Sequence, residues 1–435
     1  MSRPPLGRVI AETRRRRGYS QTRLAALLCA AAGVTTVTRH EVSRWERGDR
    51  LPGAQWLAWL ALVLDLPPAR LAAAARPLGL PAPADSVTRL HQLAEQWLRH
   101  TVNSDVPPDA SWDPSDRHAV RHLARPRHDG GGVTELDRQI AELRRMDDLV
   151  GGADLAPIVH RRWQQAADRL HRARGADRRR LLRPVTELAQ LAGWTATDAG
   201  DRPAALRAYR AGLGLAVEAG DAALGGHVLG AASHLLCGTD PGAAWRLARI
   251  AAAGVRRAGS PGLRALLAHR AALAAARAGD GRAAADGLLI ARRLGDRMRP
   301  EQEPSWLYWL DQAELAAMAG RCLVVLDRPV RALPLLEQPG RHRPRRGQPR
   351  TRAVYAGWLA RALLGVGEVE QACAVGADAA VEAVRAGSAR AAEQARELSV
   401  RLAARPQTRP VRELSELITQ LTSYLPGSST RLGVN

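Results

Sequence analysis

The feature that most constrains the fold is a pair of small residues that occurs five times between residues 193 and 372. In each pair an alanine or glycine is followed twelve residues later by an alanine, with a short turn between them. Two helices whose backbones cross closely need small side chains at the crossing point. The pattern therefore predicts five consecutive helix pairs. The paired residues are Gly193 and Ala205, Ala232 and Ala244, Ala272 and Ala284, Gly320 and Ala332, and Ala360 and Ala372.

The turns between the paired residues each contain one acidic residue. They read Gly200-Asp201, Thr239-Asp240, Gly279-Asp280, Leu326-Asp327 and Gly367-Glu368. With Ala205, Leu206 and Tyr209 after the first turn, this unit resembles the tetratricopeptide repeat. The second-helix alanines are 39, 40, 48 and 40 residues apart, which exceeds the usual period of about 34. A HEAT-like or irregular α-solenoid is the alternative, and in either case we expect helical repeats over residues 181–405.

A solenoid of helix pairs presents a concave groove that binds ligands or partners. Trp306, Tyr308 and Trp309 form the most conspicuous aromatic cluster, for which packing in the core is the favoured interpretation. The candidate groove residues are Arg207, Trp245, Arg246, Arg264, Trp306, Tyr308, Trp309 and Trp358.

The composition supports an all-α fold of several domains. The chain has 435 residues, too many for one core, and it contains no Phe and only five Tyr. Cores built from Ala, Leu and Val, with eleven Trp, favour helix. The net charge is +21, and all 64 basic residues are Arg because Lys is absent. Codon bias accounts for part of this excess, but the charge still favours a polyanionic partner.

The chain has features of a cytoplasmic protein. Its four cysteines, Cys29, Cys237, Cys322 and Cys373, are widely spaced, which argues against a disulfide framework or a zinc site. No apolar segment follows the first residues as in a secretory signal. The longest apolar run, Trp56 to Leu66, is too short to span a bilayer. We expect a cytoplasmic location, at the nucleoid when bound to DNA.

A short helix is predicted between Thr38 and Gly48. Thr38 and Glu41 have the spacing of a capping box, and Gly48 supplies the positive φ that ends a helix. Val42 and Trp45 lie three residues apart and share a face that can be buried. The outer face is left with Arg39, His40, Ser43 and Arg44, which suits a helix that reads the major groove.

Four further helices are predicted around this one. Their expected ranges are Leu6 to Arg17, Gln21 to about Cys29, Trp56 to Leu64, and about Ala69 to Arg76. The link from Ala30 to Val37 before the Thr38 helix is long. Residues 1–76 contain 13 Arg and 5 acidic residues, a net charge of +8 that exceeds the chain average in density.

In this order, Ser20-Gln21, Val42 to Gly48 and Leu51-Pro52 resemble the helix-turn-helix domain of phage-repressor-type (XRE) regulators. The resemblance covers about residues 6–76 and implies that the Thr38 helix lies in the major groove. It implies base contacts from Arg39, His40, Ser43 and Arg44, and it places Thr38 among the DNA-binding residues. It further implies a phosphate contact from Gln21 and backbone or groove-edge contacts from Arg47 and Arg50. It also implies an ion pair between Arg14 and Glu46, with Val42 and Trp45 in the domain core. The Ala30-to-Val37 link is longer than the usual tight turn of that family.

The residues on either side of the repeats are expected to form a connector and a terminal helix. A linker and helical connector are expected over 77–180, with a flexible loop at about 103–132. His118 and His122 in that loop are spaced for a metal, but the neighbouring arginines and the lack of further ligands make a solvated loop the expectation. Residues 406–435 are expected to form an amphipathic helix and a flexible tail, the helix capping the solenoid or contacting a second subunit.

These features favour a sequence-specific DNA-binding transcriptional regulator. Its repeats would sense a peptide or small molecule or mediate protein interaction and dimerisation, and two-fold half-sites imply a homodimer. The alternative is a protein-interaction scaffold whose helix-turn-helix contacts protein. An enzyme is not expected, because no phosphate loop, nucleophile elbow or metalloprotease motif is present, and no cofactor or metal is implied.

Overall fold

A computed structural model of the chain describes residues 6–32, 35–49, 52, 54–67, 71, 74, 83–103, 133–337, 349–406 and 408–424. All regular secondary structure in these residues is helical, as predicted. They divide into two compact units, Met1–Ala84 and Asp85–Asn435. None of the described helices is long and apolar enough to cross a membrane. Arg50, most of the helix expected at 69–76, the loop at 104–132 with its histidines, and the tail after Tyr424 lie outside the described residues.

The first unit contains four described helices: α1 (Leu6–Arg16), α2 (Gln21–Ala32), α3 (Arg39–Arg47) and α4 (Ala54–Val63). α3 packs against α1 and α2, and α4 packs against α2. Apolar residues from all four helices meet in one core, with Ile10, Leu24, Val42 and Leu60 fully buried. At Gly7 an added Cβ would lie 2.3 Å from the carbonyl oxygen of Glu46, so only glycine lets α1 approach α3 this closely.

The second helix of this unit is longer than the sequence predicted. It continues to Ala32 instead of ending near Cys29. The extra turn is Ala30-Ala31-Ala32, and alanine has the highest helix propensity of any residue. The extension takes up part of the link that was expected to run from Ala30 to Val37, so the connection to α3 is shorter than expected.

The second unit contains the other fifteen described helices. The first three are α5 (Pro83–Asn103), which begins at the boundary, α6 (Val133–Leu149) and α7 (Gly152–Arg172). The next ten are α8 (Gly175–Asp198), α9 (Arg202–Ala219), α10 (Ala222–Leu236), α11 (Pro241–Gly254), α12 (Pro261–Arg277), α13 (Gly281–Gly295), α14 (Gln312–Val325), α15 (Pro329–Leu336), α16 (Pro349–Val366) and α17 (Val369–Arg385). The last two are α18 (Ala389–Ala403) and α19 (Arg409–Leu421).

Helices α8 to α17 form the five predicted pairs, each packed against its neighbour in sequence. Each pair has one of the small residues in its first helix and the matching alanine in its second. All five second-helix alanines are completely buried. At Gly193 an added Cβ would lie 2.4 Å from the ring of Tyr209, so the small residue is a steric requirement. Asp201, Asp240 and Asp280 cap three of the second helices by accepting a backbone N–H.

The helices expected to form a separate connector belong to the second unit. The Trp97 side chain of α5 fills the space above Gly225 and Gly254, where an added Cβ would lie 2.4 Å and 2.2 Å from its ring atoms. Helices α6 and α7 pack against α8, which begins at Gly175 and not near Leu181. At the other end α19 packs against α17 and α18, so the terminal helix caps the last pairs within the unit.

The series of helix pairs curves until its end meets its beginning. Helix α18 contacts α8, and α16 contacts α6. The first and last segments of the series approach so closely that a Cβ added at Gly151 would lie 1.3 Å from the carbonyl oxygen of Ala386. The sequence predicted a concave groove; in the structure the two ends of the series also meet, so the inner faces of the first helices surround a common space.

Candidate nucleic-acid interface and interior cavity

Helix α3 has the caps that its sequence predicted. Thr38 has extended backbone angles, φ −110° and ψ 168°, and its hydroxyl oxygen accepts the N–H of Glu41 at 3.4 Å. Gly48 has φ 80°, and its N–H donates to Trp45 at 3.2 Å. Val42 and Trp45 are buried in the core of the first unit. The start, the end and the inward face of this nine-residue helix are therefore all fixed.

A buried ion pair fixes the orientation of α3 relative to α1. The Nε of Arg14 donates to Glu46 Oε1 at 2.5 Å and its Nη2 donates to Oε2 at 3.1 Å. A third bond runs from Nη1 to the carbonyl oxygen of Tyr19 at 2.7 Å. The hydrogen bond that Arg14 donates to Glu46 raises the pKa of Arg14, against the lowering effect of burial. This is the pair that the resemblance implied.

Gln21 joins the same cluster from the start of α2. Its amide nitrogen donates to Glu46 Oε2 at 2.8 Å. The resemblance implied a phosphate contact for Gln21, but its amide nitrogen is directed at the carboxylate inside the unit. One glutamate thus ties α1, α2 and α3 together through two side chains, Arg14 and Gln21.

The opposite face of α3 carries the remaining predicted contact residues. Arg39, His40 and Arg44 are exposed and Ser43 is half-buried. Arg44 makes one exposed ion pair with Glu41 at 3.3 Å. Arg39 and His40 form no hydrogen bond or ion pair with any described residue.

Arg47, in the last turn of α3, is held by two neighbours. It donates to the Ser43 hydroxyl at 2.7 Å and to Asp49 at 2.8 Å. Both contacts are exposed and are worth little in water. A phosphate can replace them without a large energetic loss.

A second candidate site is a cavity of about 520 Å³ inside the second unit. Its wall comes mainly from α6, α8, α10, α12, α14 and α16, together with the segment 306–311 and Arg390 of α18. Apart from α6 and α18, these helices are the first members of the five pairs. Because the series closes on itself, their inner faces surround the cavity from several sides.

Ion pairs at and beside the cavity wall join the beginning of the helix series to its end. Arg350 donates to both carboxylate oxygens of Asp147, at 2.6 Å and 2.9 Å. Asp198 accepts from Arg390 at 2.8 Å and from the Ser388 hydroxyl at 2.6 Å. Burial alone would raise the pKa of Asp198, but Arg390 and Arg350 hold it below its ordinary value. This cluster joins α6, α8, α16 and α18, so it fastens the end of the series to its beginning.

Two arginines in the wall have no such partner. Arg270 and Arg321 are 6% and 7% exposed, and neither forms an ion pair with a described carboxylate. The Nε of each is buried without a hydrogen-bond acceptor among the described residues. Burial lowers the pKa of Arg270 to about 9, and the positive charges of Arg321 and Arg390 add to the effect.

Histidine and aromatic rings complete the wall. His227 stacks on Trp306 with ring centroids 4.3 Å apart, and His234 stacks on Trp194 at 5.8 Å. Burial lowers the pKa of His227 to about 3 and places that of His234 well below its ordinary value, so both are neutral at pH 7. Their Nδ1 atoms have no partner among the described residues. Tyr308 donates to Asp148 at 2.8 Å.

No known protein family, curated protein or solved structure matches the chain. The two candidate sites are therefore interpreted from their own residues.

The sequence identified only part of the cavity. Trp306, Tyr308 and Trp309 line it, and Trp306 is also buried in the core as favoured. The other predicted groove residues, Arg207, Trp245, Arg246, Arg264 and Trp358, are not among the residues that line it.

The lining residues that sequence reasoning missed sit at fixed offsets in the first helices. Trp194 and Arg321 each directly follow the small residue of their helix. His227 and Tyr355 each precede the corresponding small residue by five positions. Aligning the repeats on their small residues, and listing polar or aromatic residues at recurring offsets, would have found these four.

Proposed function

We propose that the chain is a sequence-specific DNA-binding transcriptional regulator whose second unit binds an effector in its interior cavity. The observation that carries the proposal is the construction of α3. Glu46 anchors the helix through Arg14 and Gln21, while the opposite face exposes Arg39 and Arg44. A rigid short helix with arginines on its free face suits insertion into the major groove, where arginine recognises guanine.

Further support comes from the elements around α3. In this proposal α2 and α3 form the helix-turn-helix of an XRE-type domain, and Thr38, His40, Ser43, Arg47 and Arg50 complete the interface. The net charge of residues 1–76, +8, adds attraction to phosphate. The helix pairs of the second unit are assigned as tetratricopeptide-like repeats, on the evidence of their buried alanines.

The test is DNA binding by a double variant, Arg39→Ala/Arg44→Ala, measured by fluorescence anisotropy over a range of salt concentrations. Its matched control is Arg256→Ala/Arg257→Ala, which removes two exposed arginines from the second unit. We expect the α3 variant to lose roughly 100-fold in affinity for a selected site, and the control to lose no more than about threefold.

The DNA site is found first by selecting bound fragments from the source genome with the wild-type protein. We expect the fragments to share an inverted repeat, because a homodimer presents two copies of α3 about one DNA turn apart. Equal binding of all fragments by wild type and the α3 variant would exclude sequence-specific recognition through α3. It would favour the alternative function, a scaffold whose first unit contacts protein.

A further inference from the structure

The cavity wall contains several buried polar groups that have no hydrogen-bond partner among the described residues. The Nε atoms of Arg270 and Arg321 and the Nδ1 atoms of His227 and His234 all belong to lining residues. Buried polar groups in folded proteins are nearly always hydrogen-bonded, so an unsatisfied group calls for an explanation. Four such groups belong to residues that line one cavity, so the described protein does not meet the polar capacity of this part of the wall.

The charges of the wall indicate the sign of that ligand. Six arginines and four carboxylates line the described part of the cavity. Four of the arginines, Arg144, Arg350, Arg352 and Arg390, form ion pairs with described carboxylates. The remaining two, Arg270 and Arg321, do not. Two neighbouring cations in a buried wall repel each other, and an anion placed against both would offset that repulsion.

Each carboxylate that lines the described part of the wall already accepts a hydrogen bond from the protein, so these groups do not indicate a cation site. Asp147 is held by Arg350, and Asp311 accepts the backbone N–H of Glu314 at the start of α14. Asp148 accepts the hydroxyl of Tyr308, and Glu314 accepts the hydroxyl of Tyr355. Among the described lining residues, the side chains with unsatisfied polar atoms are therefore cationic guanidinium groups and neutral imidazoles.

The volume of the cavity and the aromatic side chains in its wall indicate the size and shape of the ligand. A volume of about 520 Å³ lies in the range typical of sites for small organic molecules. Trp194, Trp306, Trp309 and Tyr355 contribute flat apolar surfaces, and the neutral His227 and His234 are stacked among them. Because the end of the helix series is fastened to its beginning, the space favours a compact molecule over an extended chain.

We propose that the cavity binds a compact organic acid with an aromatic body, whose anionic group is held by Arg270 and Arg321. This inference rests on the proposed function, in which the second unit binds an effector, and it names the chemical class of that effector. The neutral imidazoles of His227 and His234 supply additional hydrogen bonds to polar groups on the ring. Arginine is suited to this role because its guanidinium group binds carboxylate, sulfonate or phosphate through paired N–H groups.

The test compares two fluorescent probes on the full-length protein without DNA. Anilinonaphthalene sulfonate has a flat aromatic body and one negative charge, and phenylnaphthylamine has the same ring system without the sulfonate. We expect saturable one-to-one binding of the sulfonate to the wild type, at least about tenfold tighter than that of the neutral probe. This comparison needs no variant, so it stands even if a cavity variant fails to fold.

Two variants then assign the anion contact. Arg270→Met and Arg321→Met each remove the charge and keep an unbranched apolar side chain. We expect each to weaken sulfonate binding by about tenfold or more and to leave the neutral probe unaffected. The matched control is Arg249→Met, since Arg249 also lies over a tryptophan ring, that of Trp245, but on the exposed surface. Its affinities should equal those of the wild type.

Three outcomes would overturn the inference. These are the absence of saturable sulfonate binding to the wild type, equal affinity for the two probes, and wild-type sulfonate affinity in both cavity variants. None of them depends on DNA. The DNA-binding test changes α3 alone, so each proposal can fail while the other stands.

Discussion

Replacing Arg270 by methionine is expected to raise the melting temperature of the second unit in the absence of an anion. Burial lowers the pKa of this guanidinium from an ordinary value of 12.5 to about 9, yet it remains charged at pH 7. Since each tenfold change in an equilibrium constant is worth about 1.4 kcal/mol, keeping the charge in the wall costs roughly 5 kcal/mol. Methionine avoids this cost.

The net effect is smaller, because the variant also loses the contact of Arg270 with the ring of Trp194, 6.0 Å from its centroid. With about 1–2 kcal/mol subtracted for that contact, a gain of roughly 3 kcal/mol remains. The unit has about 350 residues, so its unfolding entropy is about 0.7 kcal/mol per kelvin. We therefore expect the melting temperature to rise by about 4 °C.

The same substitution at a paired arginine should have the opposite effect. Arg350→Met leaves Asp147 buried without its partner and removes one of the two arginines near Asp198, and breaking a buried pair in this way costs about 3–5 kcal/mol. Its melting temperature should fall by about 4–7 °C, whereas the exposed control Arg249→Met should change by less than about 1 °C. Differential scanning calorimetry in a buffer free of organic anions measures all three. A lower melting temperature for Arg270→Met would refute the reasoning that its charge is uncompensated.

Two other variants test the first unit and the buried histidines. Glu46→Ala leaves Arg14 buried and unpaired, so we expect it to lose about 3–5 kcal/mol and to expose the amides of α1 and α3 to hydrogen exchange. Glu12→Ala, which breaks only the exposed pairs with Arg8 and Arg16, should preserve their protection. Equal protection in both variants would count against the anchoring role. His269 has its pKa lowered to about 3, by burial and then by Arg321 and Arg270. Stability should therefore fall as the pH drops from 6.5 towards 3, because the unfolded chain takes up a proton that the folded chain excludes. In urea titrations His269→Gln should reduce this slope by up to about 1.4 kcal/mol per pH unit; an unchanged slope would contradict it.

The helix pairs were predictable because their determinants are local. The two small residues of a pair are only twelve positions apart, and their burial is imposed by the direct contact of two consecutive helices. The caps of α3 were predictable for the same reason, since Thr38 and Glu41 belong to one turn. The end of α2 was misjudged because Ala30 to Ala32 contain no stop signal and alanine continues a helix readily.

The closure of the series was not predictable from any local pattern. It depends on the small rotation between successive pairs, accumulated over the whole unit. The contacts that fasten it, Arg350 to Asp147 and Arg390 to Asp198, join residues 203 and 192 positions apart. An alignment of the repeats marks recurring positions on the first helices, but only the closure shows that these positions face one cavity. The predicted groove residues instead included second-helix residues such as Trp245.

The fastened ends also limit how this protein can vary in length. In an open solenoid each repeat contacts only its neighbours, so a helix pair can be gained or lost at little expense to the others. Here Asp198 must meet Arg390, and Gly151 must meet Ala386, whatever lies between them. Insertion or deletion of one pair would separate all these partners at once. The number of repeats is therefore as much a determinant of the cavity as any residue that lines it.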